Sequence, residues 1–166
     1  MMLWESFDQN EIYILLLFSV ALGAFLLFKK ILPRYITILF LTWGFASSLL
    51  FDFTIGGGFH DYYKVNDSNH YELFDLITYF SFSFFGYFFV YFYEKFAIQK
   101  VTFIPYILGW TVIGLTMEKL STIMGVIHYQ DGYSIQFSVV VFLIVQTTTA
   151  LYYELVKRNS ISPEGN

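Results

Sequence analysis

Three carboxylates interrupt or border long apolar stretches of this 166-residue chain: Asp52, Asp75 and Glu118. An ionisable group inside a bilayer costs about 2.5–3.5 kcal/mol on insertion scales, so such positions are the first place to look for ion binding or proton chemistry. Helical spacing surrounds each with small or hydroxylated neighbours. Asp52 shares a face with Ser48 and Gly44, Asp75 with Tyr79, Ser83 and Gly86, and Glu118 with Gly114, Thr111 and Ser121. Small residues let helices approach closely, and hydroxyls hydrogen-bond across the gap. The last apolar segment adds Gln146 near mid-depth and Gln136 nearer its start. Turned inward, these faces predict a small polar pocket for a cation, a proton or a small polar ligand. Asp52, Asp75 and Glu118 would supply charge, with Tyr79, Ser48 and Gln136 as partners.

Each of these residues also has a structural reading. Asp52 and Asp75 lie where capping and interfacial solvation would account for them, and a carboxylate at a helix N-terminus is favoured by the dipole. Glu118 is harder to explain that way. It lies roughly 25 Å from the inner end of its segment at 1.5 Å per residue, and its neighbour Lys119 points about 100° away around the helix, free to snorkel. His60, His70 and His128 cluster with Asp61, Asp67, Glu72 and Asp131 on one side of the chain's zigzag. Together they could offer nitrogen and oxygen ligands to a divalent cation. The spacing contains no HExxH, and Asp61 to Glu72 lacks the calcium-loop pattern. The sequence requires no cofactor. Gly56, Gly57 and Gly58 lack the GK[ST] ending of a phosphate cradle and read as a flexible turn.

The elements that must position these groups are membrane-spanning helices. The chain is 57% hydrophobic and 13% charged, with mean hydropathy +0.58, against about 25% charge in a soluble domain. Crossing a ~30 Å hydrocarbon core takes about 20 apolar residues. Five stretches qualify: residues 12–28, 35–53, 73–93, 101–128 and 134–156. The expected fold is an all-α polytopic bundle over residues 1–156, with one long loop at 54–72 and a polar tail at 157–166. The aromatic run from Tyr79 to Tyr93 is expected to face lipid and anchor the interface. Asp131-Gly132 reads as a tight turn, and Pro33 as a helix start. The first ten residues carry no Lys or Arg, so the first apolar run is expected to be a retained helix, not a cleaved signal.

Basic residues give the orientation. Lys29, Lys30, Arg34, Lys95, Lys100, Lys157 and Arg158 are seven of the nine Lys and Arg, and all fall on one side of a five-helix zigzag; the other side holds Lys64. The positive-inside rule then places the N-terminus outside and the C-terminus in the cytoplasm of a cell-membrane protein. There is no cysteine, hence no disulfide, thiol nucleophile or thiolate site. No basic patch suits nucleic acid. The expected partners are the lipid bilayer and either a second copy of the chain or a larger membrane complex.

Residues 49–96 carry three further features: Asp52 to Gly56 (DFTIG), the loop Asp61 to Asp67, and the helix entry Tyr71 to Asp75 (YELFD). With Glu118 and Tyr133 to Phe137 (YSIQF), they resemble a family of small multi-pass membrane proteins from spore-forming, Bacillus-like Gram-positive bacteria. The resemblance covers about two thirds of the chain. It implies the architecture and a source, and it implies no activity. Three functions stay open from sequence: a transporter-like or sensor component with an outward-facing acidic pocket, an accessory subunit of a larger membrane complex, and a metal-dependent hydrolase or lipid-modifying enzyme. The absence of a catalytic motif weighs against the enzyme.

Overall fold

The computed structural model of the chain describes residues 7–56, 62–65 and 73–161. Five helices form an all-α bundle: α1 (Gln9–Leu27), α2 (Arg34–Thr54), α3 (Leu73–Lys95), α4 (Lys100–Ile123) and α5 (Ile135–Ile161). All five are long and apolar enough to cross a membrane. Their outward faces are apolar, with Leu16, Val20, Leu27, Val101, Ile104 and Leu151 exposed, whereas Ser83, Thr111, Ser138, Gln146 and Thr149 are buried. That distribution inverts the pattern of a water-soluble protein. It is the pattern of a multi-pass membrane protein.

Local signals set several helix ends. Asp8 caps α1 through its bond from the Asn10 N–H (3.1 Å), and Glu11 returns to the Asp8 N–H (2.8 Å), a capping box. Helix α2 starts directly after Pro33. Helix α4 stops at Ile123, five residues short of the expected 128. Gly125 takes φ +76°, and its N–H reaches the Thr122 carbonyl while the Val126 N–H reaches that of Ser121. This is a Schellman termination, which favours glycine because the left-handed backbone carries no Cβ penalty. Val126 is then buried. The chain continues as strand β2 (Ile127–Tyr129), antiparallel to β1 (Tyr63–Val65). Asp131 and Gly132 both take positive φ, and the Tyr133 N–H closes the turn onto the Gln130 carbonyl at 2.9 Å. Helix α5 runs past the expected end at 156.

Helix α3 is the axis of the bundle and packs against α1, α2 and α5. Half of its apolar span is buried, against 17% to 22% for the other four helices. The expectation that its aromatic run faces lipid is therefore corrected. Tyr79, Phe84, Tyr87, Phe89, Val90, Tyr91 and Tyr93 are core residues, and only part of the run, including Phe80 and Phe82, stays exposed. Aromatic rings have neighbours to stack on from three helices: Tyr87 meets Phe25 edge-on at 4.9 Å, and Phe89 meets Trp110 at 5.6 Å. Helices α2 and α3 touch backbone to backbone at Gly44 and Gly86. A Cβ on Gly44 would come within 2.6 Å of the Phe82 carbonyl oxygen, and one on Gly86 within 2.9 Å of Gly44 Cα. Ser83 seals the crossing by donating to the Leu41 carbonyl at 2.5 Å.

The two ends of the bundle differ. At the end holding Lys29, Lys30, Arg34, Lys95 and Lys100, side chains fill the interior. Phe40, Tyr87, Phe89, Val90, Trp110 and Tyr153 form one continuous core. Glu94 accepts from the Tyr153 hydroxyl and from the Lys157 ammonium, both at 2.7 Å, tying α3 to α5. The β ribbon lies at the other end.

Candidate binding cavity

A cavity of about 300 Å³ opens between the five helices at the ribbon end. Its lining includes Tyr13 and Leu17 of α1, Ser48 and Asp52 of α2, Tyr79 and Phe85 of α3, Gly114 and Glu118 of α4, and Ser138, Phe142 and Gln146 of α5. Four of the residues singled out by spacing thus face one space: Asp52, Glu118, Tyr79 and Ser48. They come from three helices whose small residues, Gly44 and Gly114, also reach the cavity wall. Gly114 makes room for the Phe142 ring, which would stand 2.7 Å from an added Cβ.

Each cavity carboxylate is held by hydroxyl donors. The Tyr79 hydroxyl donates to Asp52 Oδ2 at 2.5 Å. Glu118 Oε1 accepts from the Tyr129 hydroxyl at 2.7 Å and from Ser138 Oγ at 2.6 Å. The Tyr133 hydroxyl lies 2.9 Å from Ser138 Oγ and extends the network. Among the described residues, Asp52 Oδ1 and Glu118 Oε2 take no hydrogen bond. Among the described residues, Asp52 and Glu118 are the only charged side chains in the lining, and none of these lining residues is Lys, Arg or His.

The ribbon is the lid. Its register pairs Tyr63 with Tyr129, Lys64 with His128, and Val65 with Ile127. Side chains alternate across a strand, so Tyr63, Val65 and Ile127 face the cavity while Lys64 and His128 share the other face. The ribbon is tied to α2 by the Tyr62 N–H on the Ile55 carbonyl (3.1 Å) and to the turn by the Gln130 N–H on the Tyr62 carbonyl (2.8 Å). Tyr133 sits among the rings of Tyr62, Tyr63 and Tyr129, with centroids 5.5 to 6.1 Å apart. Burial raises the phenol pKa of Tyr63, and the nearby charges of Asp52 and Glu118 raise it further. Burial and the bond to Glu118 do the same for Tyr129. These phenols therefore stay protonated at neutral pH and remain donors.

The other expected site residues fall elsewhere. Asp75 is buried in the first turn of α3 but does not line the cavity. Gln136 is exposed near the start of α5, about 160° around the helix from the buried Ser138. Gln146, deeper on the same helix, takes its place: it is 2% exposed, and the Thr111 hydroxyl lies 2.9 Å from its Oε1. His128 projects from the ribbon away from the cavity, beside Lys64. Among the described residues no group of three or more His, Asp or Glu could hold a metal. His60, His70, Asp61, Asp67 and Glu72 lie outside the described residues.

Sequence reasoning missed the donors that organise Glu118. Tyr129 and Ser138 lie eleven and twenty residues away in sequence. The available signal was Gly125, which ends α4 and frees IHY to pair as a strand. Compared with protein-family models, with curated proteins and with solved structures, the chain matches none.

Proposed function

We infer that this multi-pass membrane protein binds a cation or a proton in the ribbon-end cavity, as a transporter-like or sensor component. Asp52 and Glu118 carry the charge, Tyr79, Ser138 and Tyr129 hold them in place, and the ribbon covers the opening. One observation carries the reading: two carboxylates from different helices line the same space, and among the described residues no basic side chain there neutralises them. Ionised carboxylates facing a low-dielectric cavity lack the solvent that would stabilise them. A cation or a proton relieves that cost.

The charge distribution supports an orientation. Seven of nine Lys and Arg lie at the packed end or just beyond it, which supports a cytoplasmic position for that end and an outward one for the cavity. The N-terminus is then extracellular. The Bacillus-like resemblance fits a single-membrane cell envelope in which such a cavity samples the medium.

Thermal unfolding of the detergent-purified protein from pH 5 to 8, with and without monovalent, divalent and organic cations, tests the reading. A ligand that binds only the folded state stabilises it by about 2.7 kcal/mol at a hundred times its Kd, and so raises the midpoint. The expected result is a rise with one cation or on acidification that Asp52→Asn and Glu118→Gln abolish while remaining folded. A midpoint insensitive to every cation and to pH would end the reading.

A further inference from the structure

The lining chemistry narrows what the cavity takes. A bare divalent ion needs a shell of oxygen ligands, six to eight for calcium and a near-ideal octahedron for magnesium. This cavity offers two carboxylates, already engaged by hydroxyls, and a wall that is mostly aromatic and aliphatic, with serine and threonine hydroxyls scattered along it. Phe51, Phe82, Phe85, Phe142 and Trp43 contribute rings to it. Such a wall cannot replace the hydration of a metal ion. It can bury an apolar body, and ring faces attract organic cations.

The far end of the cavity carries a second polar requirement. Gln146 is 2% exposed and its Nε2 has no hydrogen-bond partner. Thr111 cannot satisfy the amide fully. Its hydroxyl lies 2.9 Å from both the Ile107 carbonyl and Gln146 Oε1, and it has a single proton to donate. An amide buried in this way leaves at least one heteroatom for a group inside the cavity, whichever way it is turned. Gln146 lies eight residues along α5 from Ser138, the residue that holds Glu118, which is roughly 12 Å at 1.5 Å per residue.

We propose that the cavity's ligand is an elongated organic ammonium. Its cationic head lies against Asp52 and Glu118, its apolar body runs along the aromatic wall, and a hydrogen-bonding group at its other end meets Gln146. This rests on the cavity being a cation site and adds the class of cation. The free oxygens Asp52 Oδ1 and Glu118 Oε2 accept from the ammonium, Gln146 measures the ligand's length, and the ribbon must part to admit it.

Isothermal titration of the full chain in non-ionic detergent tests this with 4-phenylbutylammonium, its neutral counterpart 4-phenylbutan-1-ol, the anion 5-phenylpentanoate, and K⁺ and Mg²⁺. The expected result is binding of the ammonium at least tenfold tighter than the alcohol or the anion. Asp52→Asn and Glu118→Gln, each checked for a native unfolding midpoint, weaken it at least tenfold; two variants on different helices guard against misfolding of one. A para-hydroxyl on the phenyl ring tightens binding several-fold in the native protein and not in Gln146→Leu. Equal binding of ammonium, alcohol and anion would overturn the ligand class. Binding of K⁺ or Mg²⁺ alone would also overturn it and leave the cation site standing. Binding of none would overturn the ligand class and the cation site, leaving only a proton for the cavity. A para-hydroxyl without effect would overturn the assignment of Gln146.

Discussion

The same five helices are packed solid at one end and hollow at the other. At the basic end, Phe40, Tyr87, Val90 and Tyr153 interlock, and polar groups there are satisfied by one another, as in Glu94 with Tyr153 and Lys157. At the ribbon end the helices hold apart around a cavity, with two carboxylates and a half-satisfied amide on its wall. Protein interiors are normally as dense as organic crystals, so a hollow of this size forgoes packing energy at that end. The contrast separates two tasks along one bundle: the filled end supplies stability, and the hollow end is left free to receive a ligand.

Truncation should break the two ends unequally. Phe40→Ala, at a fully buried position, should cost about 3–5 kcal/mol. Phe82→Ala, on the cavity wall and 42% exposed, should cost less than about half as much. Denaturant titration in mixed micelles measures both, and equal costs would erase the contrast. Next in size is the close crossing of α2 and α3. Gly44→Ala drives a Cβ into the Phe82 carbonyl and should destabilise by about 1–3 kcal/mol. Gly23→Ala on α1 meets nothing within 4 Å and should be neutral or slightly stabilising, since alanine is the better helix former by about 0.5–1 kcal/mol.

The smallest effect concerns the lid. An unfolded tyrosine ionises near pH 10, whereas burial and the charges of Asp52 and Glu118 hold Tyr63 protonated above that. The stability this phenol contributes is complete below about pH 10 and is lost as pH climbs toward the folded value. The unfolding midpoint should therefore fall more steeply above about pH 10 in the native protein than in Tyr63→Phe. Parallel slopes would mean that the ribbon does not bury this ring.

How much of this was legible in the sequence follows from the range of the interactions. The five spans were legible because length and hydropathy are local properties. The facing of Asp52, Tyr79, Ser48 and Glu118 into one space was legible because helical periodicity and small residues mark the inward faces. The role of α3 was not. A Phe/Tyr run reads the same whether it meets lipid or protein, and only the packing of α1, α2 and α5 around it decides. Gln136 and Gln146 were equally polar candidates, and only the packing of α5 against α4, where Gln146 meets Thr111, decides which is buried. The ribbon was hidden because a three-residue strand inside an apolar run looks like more helix until Gly125 is read as a stop.

Filling the hollow tests the division of labour most directly. Val141→Phe places a ring in the cavity, where Val141 is part of the wall, and its unfolding midpoint should be measured with and without 4-phenylbutylammonium. A hollow kept open for a ligand predicts a midpoint close to native without additive and no rise when the ammonium is added. A collapse in stability like that expected of Val90→Phe in the packed end, or an undiminished rise with the ammonium, would contradict it.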